Sequence, residues 1–304
     1  MESIDIVFAT NDSFCQHAAV AIASLLENNK NINICIHLFC IDVTDTNYQR
    51  ICNTCQLYNT PIKRYNITND ILKGFKDPGN YSLATYLRLF VSSLIPSDIS
   101  KVLYLDCDLI INGSIKELWD INLTNYAAAG VLDCTLSHKI IHNYIGYDYI
   151  KDGYVNAGVL LINLDYWREN NTEQDLITYV IKNKPKLNDQ DAINAVLNKK
   201  IKFIHPKWNT HSGYFAFPPL VPKEHYKYIK ELRKSAKIIH FTGPAKPWFA
   251  ECVNPYKDLY YKYIKRTSWN GYTPIRTHTW IKSQTVIIKR NIKEFISTII
   301  SYFY

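Results

Sequence analysis

Two carboxylates, Asp106 and Asp108, flank Cys107 at the end of the apolar run Lys101-Val102-Leu103-Tyr104-Leu105. The run reads as a buried β-strand, in which residues two apart point to the same side, so both acids are expected to leave the strand end facing one way. Hard oxygen ligands on one face suit a divalent cation such as Mg²⁺ or Mn²⁺, which keeps open positions for phosphate oxygens. Nucleotide chemistry is what such a pair can serve. Asp-x-Asp pairs also occur in surface turns and calcium loops, so the surrounding elements must decide.

Those elements alternate. Residues 4–9 and 34–41 read as strands, and residues 14–28 and 47–59 as helices. A helix over 83–94 and the strand 102–105 follow, the start of a parallel α/β sheet in which ligands gather at the carboxyl ends of strands. Both the turn at Ala9 to Ser13 and the Asp pair fall at such ends. Further on, 127–133 and 158–163 are strand-like and 189–197 helical, whereas the Tyr- and Pro-rich stretch 208–226 carries no assignable pattern. No internal repeat is visible.

The chain of 304 residues is long enough for one large α/β domain with an appendage. Its N-terminal residues show neither a basic leader nor a long apolar segment, and no stretch reaches the ~18 uninterrupted apolar residues of a membrane span, so a cytoplasmic location is expected. The eight cysteines are scattered, as reduced core cysteines are, and Cys52-x-x-Cys55 has no second pair to complete a zinc site. The net charge of +8 is concentrated at the end: after Tyr261 there are eight basic residues against Glu294 alone. The near-neutral body argues against nucleic-acid binding, which calls for a basic face on the fold itself.

The strand and Asp pair, continued through Leu109-Ile110 and Leu118-Trp119-Asp120, resemble family 8 glycosyltransferases, in particular the bacterial lipooligosaccharide and lipopolysaccharide core galactosyl- or glucosyltransferases. Three further blocks follow in order: Tyr154-Val155-Asn156-Ala157-Gly158-Val159-Leu160-Leu161-Ile162-Asn163, Asp189-Gln190-Asp191, and His240-Phe241-Thr242-Gly243-Pro244-Ala245-Lys246-Pro247-Trp248. The resemblance runs from Asp5 to about Trp269. It implies a GT-A fold, a Rossmann-like mixed sheet flanked by helices, and retaining, metal-dependent transfer of a hexose from UDP-galactose or UDP-glucose to a glycan acceptor, expected to be lipid-linked.

The same resemblance makes His240 a third metal ligand beside Asp106 and Asp108, a set that suits Mn²⁺ better than Mg²⁺, and Lys246 a phosphate clamp beside the turn at Gly243. Each residue also has a plainer reading: His240 as a core histidine, Lys246 as a snorkelling surface lysine, Asp189 as a helix N-cap. Arg88, Asp133 and Asn156 match positions that contact the donor sugar or its phosphates, with Cys107 between the metal ligands. Asp189 is expected on the sugar hydroxyls and Gln190 on the β-face of the anomeric carbon. An amide is a poor nucleophile, so front-face attack is the expected mechanism. Ala9, Asn11 and Ser13 should meet the uridine, although Asn11 stands where relatives often carry Asp, and Phe14 replaces a common Tyr.

A boundary is expected after residue 269, giving a catalytic domain over 1–269 and a basic segment over 270–304. In that segment Ile288, Ile292, Phe295, Ile296, Ile299 and Phe303 recur at helical spacing, with Lys289, Arg290 and Lys293 between them, the pattern of an amphipathic helix for an anionic membrane surface. The expected function is extension of a bacterial surface glycan, the lipopolysaccharide core foremost. An O-antigen or protein-linked acceptor, and a catalytically silent nucleotide-sugar-binding scaffold, are the alternatives.

Overall fold

A computed structural model describes residues 3–79, 82–133, 145–216, 219–221, 225–244, 246–252, 254–277 and the positions 288, 289, 292 and 296. The described strands are β1 (Ile4–Asn11), β2 (Ile34–Ile41), β3 (Ile62–Ile67), β4 (Lys101–Leu105), β5 (Leu109–Ile111), β6 (Ala128–Leu132), β7 (Val155–Asn163), β8 (Ile201–Phe203), β9 (Thr210–His211) and β10 (Ile238–His240). The longer helices are α1 (Cys15–Glu27), α2 (Asp45–Gln56), α3 (Thr172–Asn183), α4 (Asn188–Val196), α5 (Tyr226–Ser235) and α6 (Lys257–Ile264).

Seven strands form one sheet in the order β3-β2-β1-β4-β7-β6-β8. The first four are mutually parallel, as the alternation in the sequence requires, whereas β7 runs antiparallel to both β4 and β6. The sheet is therefore mixed. Its central strands are buried on both faces, and alternate residues serve opposite cores. Ile6, Phe8, Ile36, Leu38, Leu103 and Leu105 pack with α1 and α2 on one side. Val7, Phe39, Ile41, Val102 and Tyr104 pack with Leu87, Leu176 and Ile193 on the other.

Three features depart from the sequence expectations. The edge strand β3, Ile-Lys-Arg-Tyr-Asn-Ile, carries too many polar residues to announce itself, yet it pairs with β2 along its whole length. The helix expected over 83–94 is a 3-10 helix over Leu83–Phe90 with only a short α-turn over Val91–Leu94. The unassigned stretch follows a 3-10 turn over Pro206–Trp208 and supplies the short strand β9 and a second 3-10 turn over Ser212–Phe215.

The smaller sheet, β5-β10-β9, is what positions the site. β5 follows β4 after only the three residues 106–108, and β10 pairs antiparallel to it with His240 opposite Leu109. Behind it, Ile110, Ile239, Phe241 and Trp248 form a third core with Val20 and Ala23 of α1 and Tyr260 and Tyr263 of α6. The chain stays on this body past residue 269. Trp269 and Tyr272 pack on the third core, Ile275 bridges to Phe249, and the Thr277 N–H donates to Glu251 Oε1 at 3.1 Å. Most of the basic segment lies outside the described residues; Ile288, Lys289, Ile292 and Ile296 are helical, with Ile288 56% and Ile292 54% exposed. Among the described residues no helix is long and apolar enough to cross a membrane.

Candidate functional site

Asp106 and Asp108 lie beyond the end of β4, so strand alternation is not what aligns them; the turn into β5 does that, and β10 brings His240 alongside. One ligand atom from each of the three lies within 4.8 Å of the others. His240 Nε2 stands 3.2 Å from Asp108 Oδ1 and 3.8 Å from Asp106 Oδ2. Two carboxylates and an imidazole form a donor set for a divalent cation with room for phosphate oxygens. The backbone makes space for it. A Cβ on Gly158 of β7 would lie 2.3 Å from His240 Cε1 and 2.7 Å from Asp106 Oδ2, so only glycine lets the strand run this close. The donor set and this cradle fit such an ion.

Lys246 pairs with Asp108 Oδ2 and donates to the Phe241 carbonyl at 2.8 Å. Burial alone would raise the Asp108 pKa, but Lys246, joined by His240 when its ring is protonated, outweighs it and holds the carboxyl far below the usual range. Asp108 is thus an anion at any working pH. Gly243, at φ +76°, turns the chain between His240 and Lys246.

Arg88 joins this cluster to a second. It is buried, with Nη2 2.9 Å from Asp106 Oδ1 and Nε 2.8 Å from Asp189 Oδ2, while Nη1 donates to the Ala157 carbonyl and the guanidinium lies over the Tyr104 ring. Burial opposes its charge, but the two flanking carboxylates push its pKa upward. Asp189 also accepts from Thr85 Oγ1 at 2.6 Å. Its pKa is raised to about 6, because burial outweighs Arg88 and Thr85. Asp189 is not the N-cap of its helix: α4 begins at Asn188, and Asp191 reaches back to accept the Leu187 N–H at 2.7 Å.

Beside Arg88, Gln190 Oε1 accepts the Ala157 N–H and Gln190 Nε2 donates to Asp133 Oδ2, both at 3.0 Å. Asn156 Nδ2 donates to the same oxygen at 3.0 Å. Asp106, Asp108, His240 and Lys246 are thus linked through Arg88 and the Ala157 peptide to Asp189, Gln190, Asp133 and Asn156. The expected uridine residues lie at the adjoining strand end. Cys107 Sγ meets the Ala9 carbonyl at 3.2 Å, and Asn11 Oδ1 caps the following turn by accepting from Phe14 N–H and Ser13 Oγ. Ser13 is exposed, and neither Asn11 nor Ser13 touches the metal cluster.

Residues the sequence reading missed include Gly158, Asn209, Thr85 and Tyr104. A glycine inside an apolar strand was a usable signal for close backbone approach at Gly158. Asn209 carried none. A second group, Asp5, Cys35 and His37, also has ligand atoms close together. There both ring nitrogens of His37 are engaged, by Asp5 and by the Tyr65 hydroxyl, each at 2.8 Å, and the group sits at the opposite end of the strands. It is a structural pairing within the sheet.

Comparison with known proteins identifies relatives and a shared fold. The chain is 28% identical to General stress protein A of Bacillus subtilis over 88% of this chain and 96% of that protein. It is 27% identical to the lipopolysaccharide 1,2-glucosyltransferase of Escherichia coli over 90% and 81% of the two chains. Its fold superimposes on that of the galactosyltransferase LgtC, solved with donor and acceptor sugar analogues, with a TM-score of 0.78 and 25% identity, covering 89% of this chain and 100% of that one. Residues 5–252 match the sequence profile of glycosyl transferase family 8, and with this sheet order and site the chain belongs to that family and has the GT-A fold.

Proposed function

We propose that the protein is a retaining hexosyltransferase that moves galactose or glucose from a UDP-sugar to a bacterial surface glycan of the lipopolysaccharide-core type. The observation that carries the reading is the convergence of Asp106, Asp108 and His240 beside Lys246, with Gly158 clearing the space between them. The acceptor class follows the activity of the Escherichia coli relative. Asp106, Asp108 and His240 would hold Mn²⁺, or Mg²⁺ in its place, which when bound supplies positive charge against the diphosphate.

In this reading Lys246 exchanges its contact with Asp108 for the departing diphosphate, where developing negative charge is the main obstacle to cleavage. Arg88 and Asp189, locked together, present a rigid polar wall to the sugar hydroxyls. Both ends of the Gln190 amide are engaged, by the Ala157 N–H and by Asp133, so its carbonyl can stabilise positive charge at the anomeric carbon but is badly placed to form a bond. Front-face substitution then follows. The anomeric carbon–oxygen bond to the phosphate breaks, the acceptor oxygen bonds on the same face, and the acceptor proton passes to the leaving phosphate oxygen.

The test is hydrolysis of UDP-galactose and UDP-glucose without acceptor, with and without Mn²⁺, followed by NMR of the released sugar. Metal-dependent release with retained anomeric configuration is expected, and the faster substrate names the donor. An inverted product, or no turnover of either sugar, contradicts the reading. The basic segment is proposed to hold the enzyme at an anionic membrane surface; exposed Ile288 and Ile292 flanking Lys289 support this.

A further inference from the structure

The polar network behind the metal cluster fixes which nitrogen of its histidine faces an acceptor, because two of its members are backbone N–H groups that can only donate. The Gly158 N–H donates to Asn156 Oδ1 at 3.0 Å. That oxygen also faces Asn209 Nδ2 at 2.8 Å, so Asn209 must donate there and turn its own oxygen the other way. Asn209 Oδ1 lies 3.0 Å from His240 Nδ1, and an amide oxygen can only accept. His240 Nδ1 must then carry the proton. On the far side of Asn156, the Ala157 N–H orients Gln190 in the same way, and both amides donate to Asp133.

We propose that Asn209 is a positioning residue that fixes His240 as the Nδ1–H tautomer, so that Nε2 faces Asp106 and Asp108 as a lone pair ready for a cation. Asn209 is fully buried between the Pro206–Trp208 turn and β9, where an unpaired amide would be costly, and its two hydrogen bonds account for that burial. In a neutral ring of this tautomer, Nε2 and Asp108 Oδ1 present lone pairs to each other at 3.2 Å, an arrangement relieved by a cation between them. With the other tautomer, Nε2–H would simply donate to Asp108 and close the site. The hydrogen bond at the second ring nitrogen thus selects between an open and a self-satisfied cluster. The same chain of amides ties the metal ligand to Gln190 and Asp133, so the donor-facing groups and His240 share one rigid support.

This inference rests on the metal reading above, and its test separates the two. Long-range ¹⁵N–¹H NMR correlations of the His240 ring, recorded without metal at alkaline pH, report the tautomer directly. The wild type is expected to show Nδ1–H. Asn209→Ala should lose that signature, and Asn209→Asp should keep it, since a carboxylate also accepts from Nδ1–H; thermal melting confirms that each variant folds. In Mn²⁺ titrations Asn209→Ala should bind about 10- to 100-fold more weakly than the wild type. An Nε2–H ring in the wild type, or an unchanged tautomer in Asn209→Ala, overturns the lock whatever the metal does. Equal Mn²⁺ affinity in the wild type and His240→Ala instead overturns the metal reading, while leaving the tautomer result standing.

Discussion

Asp189 shows how burial and pairing compete at one residue. Its pKa is raised to about 6 because burial outweighs the nearby Arg88 and Thr85. The folded protein therefore holds a proton on Asp189 over a pH range in which the unfolded chain has released it. The stabilisation is fully present below the ordinary carboxylate pKa near 3.8 and is lost as pH rises through about 6. Asp189→Asn cannot titrate. In metal-free urea denaturation, the stability of the wild type relative to Asp189→Asn should fall by on the order of 2–3 kcal/mol between about pH 4 and pH 7. A constant difference across that range would show that Arg88 keeps Asp189 ionised throughout. The chemical residue types at this scale were legible in the sequence, since Asp106, Asp108, His240, Lys246 and Gln190 all reach one site. Their partners were not. Asn209 lies in a stretch without periodicity, and only tertiary pairing of β9 with β10 brings it to His240.

At the scale of elements, β7 is the strand on which the site is built. It donates Ala157 and Gly158 N–H groups to the amide network and passes within a Cβ radius of His240 and Asp106. Gly158→Ala forces the strand or both ligands to move. The expected result is a loss of metal-dependent turnover of about 100-fold, from misplacement of the ligands, with about 1–3 kcal/mol of destabilisation. Full activity in Gly158→Ala would mean that the cluster is not the working site. The parallel half of the sheet was readable because β1, β2 and β4 are mostly apolar runs, broken only by residues such as Asp5 and His37. β3 was not, because its exposed edge tolerates Lys63, Arg64 and Asn66, and the 3-10 geometry of Leu83–Phe90 has an apolar pattern close to that of an α-helix. The small sheet escaped notice for a different reason: strands of two or three residues are too short to show alternation.

Across the whole molecule, the described contacts hold the chain on the body through Thr277, and the sequence beyond it is basic and apolar. The compositional change after Trp269 marks the onset of that extension in sequence, but contacts of Tyr272, Ile275 and Thr277 keep the chain on the body for several residues more. A truncation after Thr277 should therefore fold and retain metal-dependent hydrolysis of the donor. It removes Lys282, Lys289, Arg290 and Lys293, each contributing about 1 kcal/mol at an anionic surface, so co-sedimentation with anionic vesicles at low salt should fall by more than about tenfold. Unchanged sedimentation would place the membrane contact elsewhere. The proposed cation site of Asp106, Asp108 and His240 should bind its ion together with a nucleotide diphosphate. It is tested most directly by titrating Mn²⁺ into the protein with and without UDP, following free Mn²⁺ by electron paramagnetic resonance. Saturable binding that UDP tightens is expected, with a loss of at least about tenfold in affinity in Asp106→Asn and Asp108→Asn, each still melting cooperatively. Binding in either variant within twofold of the wild type would contradict it.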